Sequence, residues 1–179
     1  MSDLDPFGAD DGWLAVREQA QGVVLEALGL TDGRVVEVGE AVRAAKAGRT
    51  AVLPPLRGAD GARWTLVVGQ DASDVSARRV ASLSALLATT VQSFGRPEEG
   101  PRRFLLAERG TVTHEVDVDG EVGELAAGWS VDPTTLTGPA PGQALLVGPL
   151  RPEAPELAEP PEMPKPWQRG PWQWQRGGR

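Results

Sequence analysis

RWTLVVGQDASDVSARRVASLSALLATTVQSF, residues 63 to 94, decides how this chain is read. Trp64 to Val68 is a short apolar run dominated by aromatic and β-branched residues, the composition of a strand. Beyond it Ser73 or Asp74 offers a helix cap, after which Val75, Val80, Leu83, Leu86 and Leu87 recur near one helical face while Arg78 and Arg79 turn toward water. Thr89 to Phe94 then reads as a second strand. The stretch predicts strand, loop, helix and strand, with Trp64, Val67, Leu83 and Leu87 as core residues rather than site residues.

Upstream, Trp13, Val16, Ala20, Val23 or Val24 and Leu28 are spaced for a helix from Gly12 that Asp10 or Asp11 would cap and Gly29 would stop. Gly22 inside it costs about 1 kcal/mol relative to Ala. Arg34 to Val38 reads as a strand, and Glu40 to Ala47 as a short helix with Ala41, Ala44 and Ala45 on one face. Thr50 to Leu53 is a strand stopped by Pro54-Pro55; across the Gly58–Gly61 turn it forms a hairpin with Trp64–Val68.

Downstream, Arg103–Glu108 and Thr111–Val118 are strands joined tightly at Arg109-Gly110. In the second, Val112, His114, Val116 and Val118 alternate with Thr111, Thr113, Glu115 and Asp117, so His114 is expected on the face of Val112 and Val116. Asp119-Gly120 turns the chain again, and Ala144–Val147 is the last expected strand. The resulting expectation is an α+β fold: a mainly antiparallel sheet packed by two principal helices and followed by a disordered proline-rich tail. Residues 1–11 form a flexible start, 12–150 a single domain, 151–166 a Pro/Glu-rich linker and 167–179 a Trp/Arg-rich tail motif.

With 179 residues, the chain has length for one ordinary domain plus extensions. Its 22 Gly and 16 Pro, about a fifth of the residues, exceed usual frequencies and belong to loops and the tail. A formal charge of -7 argues against nucleic acid as a general partner, because the phosphate backbone is held by surplus Lys and Arg. The absence of cysteine removes thiolate chemistry, disulfides and Cys-based metal centres. The acidic start MSDLDPFGADDGW has no signal-peptide pattern, and no run approaches the roughly 18 apolar residues of a membrane span. A cytoplasmic protein without membrane partner is expected.

Chemical candidates are few. His114, the only histidine, is read as structural rather than catalytic, because a general base needs a partner positioned beside it. Asp117, Asp119, Glu121 and Glu124 lack the spacing of a calcium loop and read as a solvated hairpin tip. Neither G-x-G-x-x-G after a strand nor G-x4-G-K-S/T occurs, so no catalytic, cofactor or metal residues are assigned. The tail is different. Glu153, Glu156, Glu159 and Glu162 repeat every third residue, which lines one edge of a polyproline II helix, and WQRGPWQWQRGGR follows. Trp and Arg dominate binding hot spots, so Trp167, Arg169, Trp172, Trp174 and Arg176 are the candidate partner-binding residues.

Two resemblances extend this reading. Trp64–Gly69, Leu83-Ser84 and Leu87 leading into Val91–Phe94, and Gly128-Trp129-Ser130-Val131-Asp132-Pro133 together resemble a group of uncharacterised bacterial α+β domains, some with immunity-type associations. The match spans about residues 34 to 136; here Gly95–Glu99 intervenes where that group continues its strand. Trp172-Gln-Trp174-Gln-Arg176 is similar to the Trp-x-Trp-x-Lys cores of darobactin-like ribosomal peptides, which implies cross-linking at tryptophan by a modifying enzyme. The expectation is a non-enzymatic protein-interaction chain, adaptor or immunity-like, that presents a Trp/Arg motif to a protein partner. Its alternative is the precursor of a modified peptide with the core in the tail.

Overall fold

The computed structural model describes residues 12–69, 72, 76–95, 101–118, 130–131 and 142–148. Residues 1–11, the linker and the tail lie outside that set. Nine strands form one sheet: β1 (Trp13–Arg17), β2 (Arg34–Glu37), β3 (Thr50–Val52), β4 (Leu56–Arg57), β5 (Arg63–Gly69), β6 (Thr90–Gly95), β7 (Arg102–Glu108), β8 (Thr111–Val118) and β9 (Gln143–Val147). Their order is β2-β9-β3-β5-β1-β6-β7-β8, with β4 beside β5. Every adjacent pair is antiparallel. Among the described residues there are three helices, α1 (Gln21–Ala27), α2 (Val38–Lys46) and α3 (Ala77–Leu86), so the mixed α+β class stands and the helix pair becomes three.

The opening stretch folds as predicted, as β5, α3 and β6. Because β5 and β6 both run antiparallel to β1, which lies between them, they are parallel to each other and α3 makes a split crossover. β2, α2 and β3 repeat the arrangement around β9, in strands of the opposite direction. α3 and α1 pack on one face, whose core holds Leu14, Val16, Val24, Val67, Val80 and Leu83. α2 packs on the other, with Trp13, Ala41, Val42, Trp64, Phe94 and Leu146. β1 and β2 are also parallel, so β1–α1–β2 is a third crossover, and when strand direction, direction of travel and face are combined all three have the same hand, as the twist of strands requires. The reversal of strand direction between the α2 and α3 units therefore puts their helices on opposite faces.

The helix expected from Gly12 to Leu28 is corrected to a strand followed by a short helix. Trp13-Leu14-Ala15-Val16 is a run of four apolar residues, all fully buried, because β1 has core on both faces. Such a strand loses the alternation by which strands are recognised, and its Trp13 and Val16 also satisfy a helical spacing. Glu18 at φ 51° ends it. Helix α3 begins later than expected: its cap is Ser76, whose hydroxyl accepts the Arg79 amide at 3.3 Å. Ser73, Asp74 and Val75 lie outside the described residues. Leu86 turns to solvent rather than to the core, while Val80, Leu83 and Ser84 are buried.

The other expected strands hold, with small changes at their ends. The β3–β5 hairpin continues past Pro54-Pro55 as β4, paired Leu56 to Trp64 and Arg57 to Arg63. Arg109 (φ 48°) and Gly110 (φ 86°) make the two-residue turn between β7 and β8. That turn is clamped to α3, because the Gly110 amide donates to Ser84 Oγ at 2.8 Å and Ser84 donates to the Ala81 carbonyl at 2.9 Å.

Two glycines test this account. Gly69 sits at φ 112° where β5 meets Thr50, and a Cβ there would overlap the Arg49 carbonyl. Gly69→Ala should lower unfolding free energy by about 3 kcal/mol. Gly22 lies in α1 with nothing within 4 Å of a built Cβ. Gly22→Ala should raise stability by about 0.5–1 kcal/mol, read from urea midpoints at unchanged m-value.

Candidate functional site

The five tail residues Trp167, Arg169, Trp172, Trp174 and Arg176 lie outside the described residues, as do Asp119, Glu121 and Glu124. What the structure does place is the surface and interior around β1, β6, β7 and β8. Read across the ladder, one row on the α2 face runs Leu146, Ala51, Val68, Trp13, Phe94, Phe104, Val116. Trp13 stacks on Phe94 at 4.5 Å between centroids, and Phe94 meets Phe104 at 4.8 Å. The row is buried until its last member, Val116, which is 44% exposed on the outermost strand.

His114 does not share a face with Val112. A bulge between Leu106 and Ala107 leaves Thr113 as an extra residue in β8, so Val112 pairs with Ala107 and His114 with Leu106. Leu106 belongs to the α2-face core and Ala107 to the other, and their partners follow them. His114 and Val116 therefore stand on the α2 face, while Val112 packs on the α1 and α3 side. The His114 ring is exposed, and its Nδ1 lies 3.2 Å from Thr113 Oγ1. On the opposite face Arg103 lies between two acids, at 3.2 Å from Glu115 and 3.4 Å from Asp117. These side chains are exposed, and such pairs contribute little to stability.

Asp60 organises the loop before β5. Its Oδ1 accepts the Ala62 amide at 2.9 Å and Trp64 Nε1 at 3.0 Å, and its Oδ2 accepts Arg17 Nε at 3.2 Å. Gly58 is required beside it, because a Cβ there would come within 2.5 Å of the Trp64 ring. The same loop holds Ser130 and Val131 against the α2 face: the Ala59 amide donates to the Ser130 carbonyl at 3.1 Å, and Val131 packs on that core. Burial pushes the Asp60 carboxyl up, but the hydrogen bonds from Trp64, Ala62 and Arg17 and the Arg17 charge together outweigh it and hold the group below its ordinary value.

Composition gave no warning of Gln92. It lies in the middle of β6 between Ala15 and Leu106, fully buried, and neither atom of its amide has a hydrogen-bond partner. Trp13 Nε1 and Ser130 Oγ are also buried and unpaired. A polar residue within TVQSF was the available signal, but it becomes informative only once both faces of β6 are known to be covered. Among the described residues, no group of three His, Asp or Glu side chains is placed to hold a metal ion, and no helix is long and apolar enough to cross a membrane. No protein-family model matches the chain, and neither a curated protein nor a solved structure matches it.

An unpaired buried amide costs about 1–3 kcal/mol, so Gln92→Met, which keeps the side chain's length, should raise stability by about 1–2 kcal/mol. A loss of that size in chemical denaturation would show instead that the amide is paired in solution. Asp60 gives a pH signature. Its folded pKa is lowered, so its contribution is full above the ordinary value of 3.8 and disappears as pH falls through the lower folded value. Asp60→Asn should lower the thermal midpoint at pH 7, and the gap from the parent protein should close on acidification below that range.

Proposed function

We propose that this chain is a non-enzymatic interaction protein, adaptor-like or immunity-like, whose α+β domain presents the C-terminal Trp/Arg segment to a protein partner. The observation that carries the reading is the segment itself. Within residues 167–179 stand Trp167, Trp172 and Trp174 beside Arg169, Arg176 and Arg179, without one acidic side chain. Large aromatic rings are poorly accommodated in water, and Trp with Arg is the pairing most often found at the centre of protein interfaces. The preceding Pro/Glu segment suits a stiff spacer that holds the motif away from the domain's own charge.

The second reading, a peptide precursor with its core in the tail, is favoured by the two-residue spacing of Trp172 and Trp174 and differs in chemistry rather than in fold.

Removal of residues 152–179 should leave the thermal midpoint within about 2 °C of the full chain. The same truncation should abolish capture of the partner in a pull-down from the native host. Equal capture by both chains defeats the proposal. Intact mass of the host-derived protein separates the second reading, which requires hydrogen loss confined to residues 167–179.

A further inference from the structure

The two strands that end the sheet differ in how they would meet a second copy of themselves. β8 carries Glu115, Asp117 and a bulge. β2 has no bulge and no proline, and its two charged residues, Arg34 and Glu37, are of opposite sign. Among the described residues no strand pairs with the outer side of β2, and such an edge offers N–H and C=O groups at every second residue. Val35 lies within it, 55% exposed. It pairs with Leu145, which packs on the α1 and α3 core, so its side chain stands on that face. Leu25 and Leu145, both half-buried, converge there beside Gly33. A β-branched side chain open at a strand edge, next to two part-covered leucines, is an apolar surface that one further strand would close.

We infer that two copies of the chain associate through β2, edge to edge and antiparallel, with Val35 of each opposite Val35 of the other; this is independent of the reading of the tail. Symmetry selects the register. Residues directly opposite in an antiparallel pair share a face, and a two-fold axis normal to the sheet keeps each face continuous. β2 can therefore pair with itself about a residue and not between two, and Val35 and Val36 are the central choices. About Val36, the exposed Val35 would lie opposite the Glu37 carboxylate. About Val35, the two exposed valines cover each other, Arg34 lies opposite Val36 and Glu37 opposite Gly33, so no like charges meet. The charges then complement each other. Arg34 shares the α2 face with Val36, because their partners Leu146 and Ala144 belong to that core, and it reaches Glu40 at 2.6 Å. In the paired sheet Arg34 of one copy stands beside Val36 of the other, on the face where that copy's Glu40 reaches its own Arg34. Both side chains are exposed in the single chain, so the two Arg34–Glu40 pairs join into one cluster of alternating sign across the axis.

A four-residue strand is short for an interface, which places the dimer among weak associations below about 1,200 Å², with a dissociation constant on the order of 100 μM. Sedimentation equilibrium of the full chain from ~10 μM to ~1 mM should show the average mass rising from one copy toward two. Val35→Lys sets two ammonium groups opposite each other at the axis and should weaken the dimer about ten-fold or more, with the urea midpoint of the dilute protein unchanged. Val35→Ile adds a methylene from each copy and should tighten it roughly three- to ten-fold. Should Val35→Lys unfold, Val35→Ile alone decides. A single mass at every concentration overturns the inference. So does a dimer whose dissociation constant is the same in the parent chain and in Val35→Ile, which assigns association to another surface. A dimer lost in the full chain carrying Trp172→Ser and Trp174→Ser overturns it as well, by assigning association to the tail.

Discussion

β1 uses both of its edges for ladder hydrogen bonds, to β5 on one side and β6 on the other, and buries both of its faces. The remainder of the sheet depends on this placement. With β1 between them, β5 and β6 must be parallel, and a parallel pair needs a crossover long enough for a helix. The hand of crossovers then leaves α3 a single face, and the β2–α2–β3 unit, built from strands of the opposite direction, receives the other. Five residues, Trp13 to Arg17, thus fix which side of the sheet each helix covers.

The same rows that join the strands also carry the interior out to the surface. Trp13 stacks on Phe94 and Phe94 on Phe104, and each is held by a different strand, so the aromatic row binds three neighbouring strands in register. A slip of one residue in β6 would send Phe94 to the other face and put Ser93 into the row. Gln92 occupies the adjacent row, where the small Ala15 on one side and Leu106 on the other give its amide no hydrogen-bonding group. Its unpaired state is a cost that the surrounding apolar contacts offset, and a residue kept at a cost in a core is where function and stability are most readily opposed.

Much of the fold was legible, and the failures have specific physical causes. Arg63–Phe94 was readable because β5 and β6 are bounded by turn residues and α3 has a helical apolar face. β1 was not, because burial on both faces erases alternation and leaves a run that fits either element. The face of His114 was misassigned because one extra residue, Thr113, shifts every later side chain in β8, and a bulge has no composition of its own. Three residues, Ser73, Asp74 and Ser76, had the chemistry to cap α3, and the choice of Ser76 depends on where the helix meets the sheet. The Trp/Arg composition of residues 167–179 is plain in the sequence, and those residues lie outside the described ones.

A strand that ends a sheet is a liability toward aggregation. β8 limits it with acidic side chains and with a bulge, both of which disfavour pairing with a second identical edge, where Glu115 and Asp117 would meet like charge. Arg103, set between Glu115 and Asp117 at 3.2 and 3.4 Å, moderates their charge from the same face. Val116 and His114 stand on the opposite face, and the bulge at Thr113 is what sets the two faces of β8 after Val112.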